Sequence, residues 1–264
     1  MIEHFTYGWT TPAIAYAVSF IGSFIGLQTA ARARSSTGGV RAGWLVLASV
    51  SLGAAGIWAM HFIAMMGSSV QSLTLRYDVV LTVLSGLLAV AAVSAALFWT
   101  TVRPGRLAIP GGGAVMGLGV VAMHYTGMAS IRMQADAVHD PFYTAAAAVV
   151  ALAASALVLL FSLRLQGPAA TLLGSLVMAA AVSAVHYTAM FGMSVTALPQ
   201  TPFDAEPSGA AMMDFFLPVF VGLGLLLMVI SLILLLSPAE DDDARRPSRS
   251  PVPPVRDSVF DRRH

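Results

Sequence analysis

The chain contains no cysteine. Disulfides, thiolate metal sites, iron–sulfur clusters and cysteine nucleophiles are therefore all excluded, and any metal must be held by His, Met, carboxylate or backbone. Lysine is absent too, since all 14 basic residues are arginine. A retinal Schiff base needs a lysine amine, so a retinal-protein reading of a multi-helix chain fails at once. Charge of either sign is scarce, at 10% of residues against 57% hydrophobic. With a mean hydropathy of +0.79, that balance is one of a membrane protein, with the lipid bilayer as its surroundings and no nucleic-acid partner. The first ten residues have no basic segment and carry Glu3 and His4, so no cleavable leader is expected and the first apolar run is read as a true span.

Seven apolar runs are long enough to cross a bilayer, at about 12–31, 42–66, 79–101, 107–130, 142–163, 169–194 and 215–236. The expected fold is an all-α membrane protein of seven transmembrane helices. Twelve of the 14 arginines fall on one side of these spans, and only Arg76 and Arg132 fall on the other. The positive-inside rule then places the N-terminus outside and the C-terminus in the cytoplasm of a multi-pass inner-membrane protein. Gly22 with Gly26 and Gly113 with Gly117 have the four-residue spacing of close helix contacts. From Ser237 on, an acidic run followed by Arg, Ser and Pro reads as a disordered cytoplasmic tail, 237–264.

One short motif occurs three times: Ala59-Met60-His61-Phe62-Ile63-Ala64-Met65, Ala122-Met123-His124-Tyr125-Thr126-Gly127-Met128 and Ala184-Val185-His186-Tyr187-Thr188-Ala189-Met190. The histidines are 63 residues apart (124 minus 61) and then 62 (186 minus 124), which is room for two helices and their loops. The expectation is three two-helix repeats plus a final helix. Helices two, four and six run outward, and each carries its histidine one to two turns from the outer end, so three imidazoles share one layer.

A methionine follows each histidine by four residues, pairing His61 with Met65, His124 with Met128 and His186 with Met190. Residues at that spacing share a helix face. Imidazole nitrogen plus thioether sulfur, with no thiolate or carboxylate, suits copper better than zinc, magnesium or calcium. Met60 and Met123 precede their histidines, about 100° away around the helix. They are candidates for a second site or for packing. Intramembrane histidine is costly and tends to face the bundle interior, which favours ligation over simple hydrogen bonding. Tyr125, Tyr187, Thr126 and Thr188 are candidates for orienting the imidazoles. Asp78, Asp140 and Asp214 stand near outer helix starts and are read as interfacial.

At these residues the sequence resembles the MHYT-domain family of bacterial integral membrane sensors. Met123-His124-Tyr125-Thr126 matches the naming motif in full, Met60-His61 its first half and His186-Tyr187-Thr188 its last three positions. The resemblance covers about residues 7–236. It implies a seven-helix, non-enzymatic sensor that binds copper near the outer face and through it senses oxygen, carbon monoxide or nitric oxide. Many family members carry a cytoplasmic output domain after the last helix. This chain is read as a stand-alone form that signals through a separate cytoplasmic partner. Two alternatives stay open: an electron-transfer protein with haem between facing histidines and Arg76 or Arg132 on the propionates, and a copper-handling permease. The inner halves of helices two, four and six offer no His or acid, which places transport last.

Overall fold

Seven long helices carry the chain back and forth between two ends, in a computed structural model that describes residues 2–3, 8–67, 69–70, 75–197 and 207–237. They are α1 (Thr10–Ser35), α2 (Gly38–Met66), α3 (Val79–Val102), α4 (Ala108–Ala129), α5 (Pro141–Arg164), α6 (Pro168–Phe191) and α7 (Met212–Leu236), each long and apolar enough to cross a membrane. The expected seven-span, all-α class is what the structure shows. The tail expected from 237 on lies, beyond Ser237, outside the described residues.

Successive helices pack side by side from α1 to α6, and α6 packs back against α1, which closes a six-helix ring. The last helix, α7, leans on α1 and α2 from outside and keeps Leu217, Val221, Leu225, Met228 and Leu232 exposed. An apolar surface of this extent is what lipid requires. Inside a bilayer, exclusion of water no longer drives helices together, and close van der Waals packing must do so. The two glycine pairs serve that purpose. Gly22 meets the α2 backbone so closely that a Cβ there would stand 2.8 Å from the Ser51 carbonyl oxygen, and one on Gly117 would stand 2.9 Å from Leu152 Cα.

Helix ends are fixed by specific groups. Asp78 caps α3 by accepting from Leu81 N at 3.1 Å, and Asp140 caps α5 by accepting from Phe142 N at 2.7 Å. At the opposite end, Arg32 donates to the carbonyls of Leu234 and Ser237 as α7 finishes, while Arg34 donates to those of Ser162 and Leu165 as α5 finishes. Two neighbouring arginines of α1 thus satisfy the open carbonyls and negative poles of two other helices.

Two features were not legible in the sequence. Residues Ser51–Ala59 of α2 form a π-helical stretch immediately before Met60-His61. Its wider turn changes the angular position of every residue that follows, and Ser19 of α1 donates to the Gly56 carbonyl oxygen within it at 2.7 Å. Second, short strands lie at the end where the histidines are. They are β1 (Ile2–Glu3), β2 (Ser69–Val70), β3 (Arg76–Tyr77), β4 (Ile131–Arg132), β5 (Ala135–His139), β6 (Met193–Ala197) and β7 (Ala210–Ala211). β1 pairs with β2, β3 lies between β4 and β7, and β5 pairs antiparallel with β6. The Arg132–Asp78 ion pair, 2.7 Å long, ties β4 to the start of α3.

Candidate metal centre

Helices α2, α4 and α6 bring His61, His124 and His186 together inside the ring. One nitrogen of each lies within 4.8 Å of the others, and their residues are 1%, 3% and 3% exposed. His61 Nδ1 and His186 Nδ1 are 3.0 Å apart. The His124 ring centroid lies 4.8 Å from that of His61 and 5.5 Å from that of His186. Gly127 makes the cluster this tight, because a Cβ there would stand 2.8 Å from His61 Nε2. The corresponding positions in the other copies are Ala64 and Ala189.

The methionines sort into two groups. Met65, Met128 and Met190 meet in one buried cluster with Met193, against which Met133, Ala137 and Val195 pack. Four residues are about 6 Å along a helix, so this thioether layer lies between the imidazoles and the paired strands β5 and β6. Met60 and Met123 instead belong to the main apolar core, as does Val185 in the third copy.

Phe62 stands where the other copies have tyrosine, and its ring packs among other aromatic rings. It is fully buried, with ring centroids 5.3 Å from Trp58, 6.2 Å from Tyr77 and 4.8 Å from Phe216. Helix α7 thus closes over the first copy. Tyr125 does not orient an imidazole through its hydroxyl, which bonds to Thr144 Oγ1 at 3.1 Å and braces the start of α5.

Sequence reasoning missed His139. It ends β5, pairs in register with Met193, faces the Tyr125 ring at 5.2 Å between centroids, and lies close enough to His124 for their charges to interact. Its Nε2 is buried without a hydrogen-bond partner among the described residues, and burial lowers its pKa below the ordinary imidazole value. Met193 was missed as well: it follows Met190 by three residues but lies past the end of α6, in β6. His139 lies in a loop between spans and had no periodic signal. Asp78 and Asp140 are accounted for by capping, and Asp214 sits in the first turn of α7.

A bundle of apolar spans enclosing an imidazole triad under a thioether layer defines a multi-pass membrane protein with a buried donor cluster. The MHYT family, described as "Bacterial signalling protein N terminal repeat", matches residues 55–113 and 117–175. The chain belongs to this family of membrane signalling proteins. It is 32% identical over 241 residues to the bifunctional diguanylate cyclase/cyclic di-GMP phosphodiesterase MucR of Pseudomonas aeruginosa, covering 88% of this chain and 34% of that one. It is 32% identical over 216 residues to the cyclic di-GMP phosphodiesterase NbdA of the same organism (79% and 27%), and 26% identical over 250 residues to the signalling protein YkoW of Bacillus subtilis (90% and 30%). The chain thus spans about a third of the length of the curated relatives it matches. No solved structure matches it.

Proposed function

We propose that the chain is a copper-binding sensory unit of the inner membrane, spanning residues 7–236. His61, His124 and His186 hold the metal, and Met65, Met128 and Met190 supply soft sulfur from the adjoining layer. The observation that carries this reading is the convergence of three imidazoles from three separate helices beside three thioethers, each four residues after its histidine. The fit of the donors supports it. His61 and His124 each keep a buried Nε2 with no hydrogen-bond partner among the described residues, an arrangement that costs free energy unless a ligand completes it. Nitrogen and thioether without thiolate or carboxylate select copper, Cu(I) above all. Bound copper would supply an open coordination position for a small gas ligand such as oxygen, carbon monoxide or nitric oxide. Met60 and Met123, packed in the apolar core, serve the helix contacts.

The described residues act as a receiver without catalysing a reaction. The arginine-rich end faces the cytoplasm, where a signalling partner receives the output, and the histidine end faces outward. Haem is the weaker alternative. Axial nitrogens face each other across a macrocycle and cannot touch, which the 3.0 Å contact between His61 Nδ1 and His186 Nδ1 opposes. Metal analysis with an optical spectrum of the purified protein tests the reading. Copper in roughly stoichiometric amount without a Soret band is expected. A Soret band that disappears when two of the three histidines are replaced would promote haem instead.

A further inference from the structure

At the end opposite the histidines, α1, α2, α3 and α5 surround a cavity of about 200 Å³. This far exceeds the ~30 Å³ that one water molecule occupies. Its polar wall is made by Arg34, Arg41, Thr100, Thr101 and Ser162, and its apolar wall includes Leu45. The two threonine hydroxyls already donate to carbonyls one turn back, Thr100 to Leu97 O at 2.9 Å and Thr101 to Leu97 O at 2.8 Å. Arg34 is engaged with the final carbonyls of α5. Its position is thereby fixed, and its charge remains at the cavity.

Two sets of donors are left over. Arg41 uses Nε on the Ser36 carbonyl oxygen at 2.7 Å, and its two terminal nitrogens bond to no described residue. Ser162 is 2% exposed, lines the cavity, and has a hydroxyl with no partner among the described residues. No described carboxylate side chain balances this charge. Asp78, Asp136, Asp140 and Asp214 all stand at the strand end of the bundle. Two guanidinium groups and a free hydroxyl donor, with no counter-charge among the described residues, make a site for an oxyanion.

We infer that this cavity binds a phosphate group. The two terminal nitrogens of Arg41 take two phosphate oxygens side by side, the arrangement for which a guanidinium is suited. Ser162 donates to a third oxygen, and Arg34 adds its field from a fixed position. The bound group links the first turn of α2, the last turn of α5 and the end of α1, so occupancy stiffens the end of the bundle farthest from the histidines. The phosphate is either a free phosphate or phosphomonoester from the aqueous phase, or the headgroup of an anionic lipid in that leaflet. The chemistry of recognition is the same for both, and it is independent of any metal at the imidazoles.

The test uses the whole chain, purified in detergent and in nanodiscs, with inorganic phosphate and phosphatidic acid as probes. Thermal unfolding is followed at low millimolar phosphate against chloride of equal ionic strength, and lipid retention is read by native mass spectrometry against phosphatidylcholine. A free-phosphate site gives a rise in melting temperature with phosphate, and Arg41→Gln weakens the apparent affinity about tenfold or more, the expected scale for a lost charge-assisted pair. A headgroup site gives selective retention of phosphatidic acid that Arg41→Gln removes, with no response to free phosphate. Ser162→Ala weakens either response. Ala33→Leu fills the cavity while keeping every polar group, so it removes the response without touching the charges, and circular dichroism confirms that each variant is folded. Absence of both responses in the wild-type chain, or an undiminished response in folded Arg41→Gln or Ala33→Leu, overturns the inference.

Discussion

His61 Nδ1 lies 3.0 Å from His186 Nδ1, a contact between side chains 125 residues apart in sequence. Two imidazole nitrogens at that distance cannot both carry a proton or both present a lone pair without repulsion. Either the rings take opposite tautomers, with one donating to the other, or both nitrogens turn toward a shared cation. With no cation between them, this contact is a hydrogen bond between two imidazoles of opposite tautomer.

The proposed copper site ranks its donors. His124→Ala is expected to weaken copper binding more than Met128→Leu, because imidazole is the stronger donor. Met128→Leu is expected to weaken it more than Met123→Leu, because Met128 lies in the thioether cluster and Met123 in the apolar core. Leucine roughly preserves the volume, so the difference reports sulfur chemistry. Competition titrations with a Cu(I) chelator give the order, and a Met123→Leu loss equal to that of His124→Ala in folded protein would refute it.

Gly127→Ala should act on the proposed metal centre through shape alone. The added Cβ would stand 2.8 Å from His61 Nε2, so the ring must shift. A loss of copper affinity of about tenfold or more is expected, the scale seen when groups that orient metal ligands are changed. Unchanged affinity would mean that the His61 orientation does not matter.

Gly22→Ala tests the packing of α1 on the π-helical stretch. Its Cβ would press on the Ser51 carbonyl oxygen and the Gly56 nitrogen of α2, where backbone cannot move aside cheaply. A destabilisation of about 1–3 kcal/mol is expected, as for other overpacked sites, read as a lower melting temperature in detergent. A neutral result would mean that the two helices stand farther apart.

The Asp78–Arg132 pair predicts an acid-sensitive contribution to stability. The side-chain hydrogen bond from Arg132 is the main cause that holds the Asp78 carboxyl below its ordinary value. A lowered carboxyl pKa stabilises the fold above the unfolded-state value, near pH 4, and that contribution disappears as pH falls through the lower folded value. The melting temperatures of wild type and Arg132→Gln should differ at neutral pH and converge in acid. A difference that persists unchanged at low pH would count against the ion pair.

Orientation can be read with reporter fusions. Those after Arg106, Arg164 and Ser237 should report cytoplasm, and those after Ser69 and Asp136 the outside. The reverse pattern would place the imidazoles near the inner face and end the outward-sensing reading.

Much of this protein is local information, and the sequence by itself determined it. Seven uninterrupted apolar runs allow one solution in lipid, because each must satisfy its own backbone as a helix. The His-x-x-x-Met spacing places imidazole and sulfur on one face through helix geometry alone, and the three-fold repetition of the motif puts the imidazoles at one depth. Tertiary structure decided what depends on contacts between distant segments. Which methionines meet follows from how α2, α4 and α6 face one another, and His139 and Met193 join the neighbourhood only because β5 pairs with β6. The π-helical stretch before His61 arises against α1, where Gly22 and Ser19 meet its backbone. That contact joins segments about thirty residues apart in the chain, so it cannot be read from Ser51–Ala59 alone.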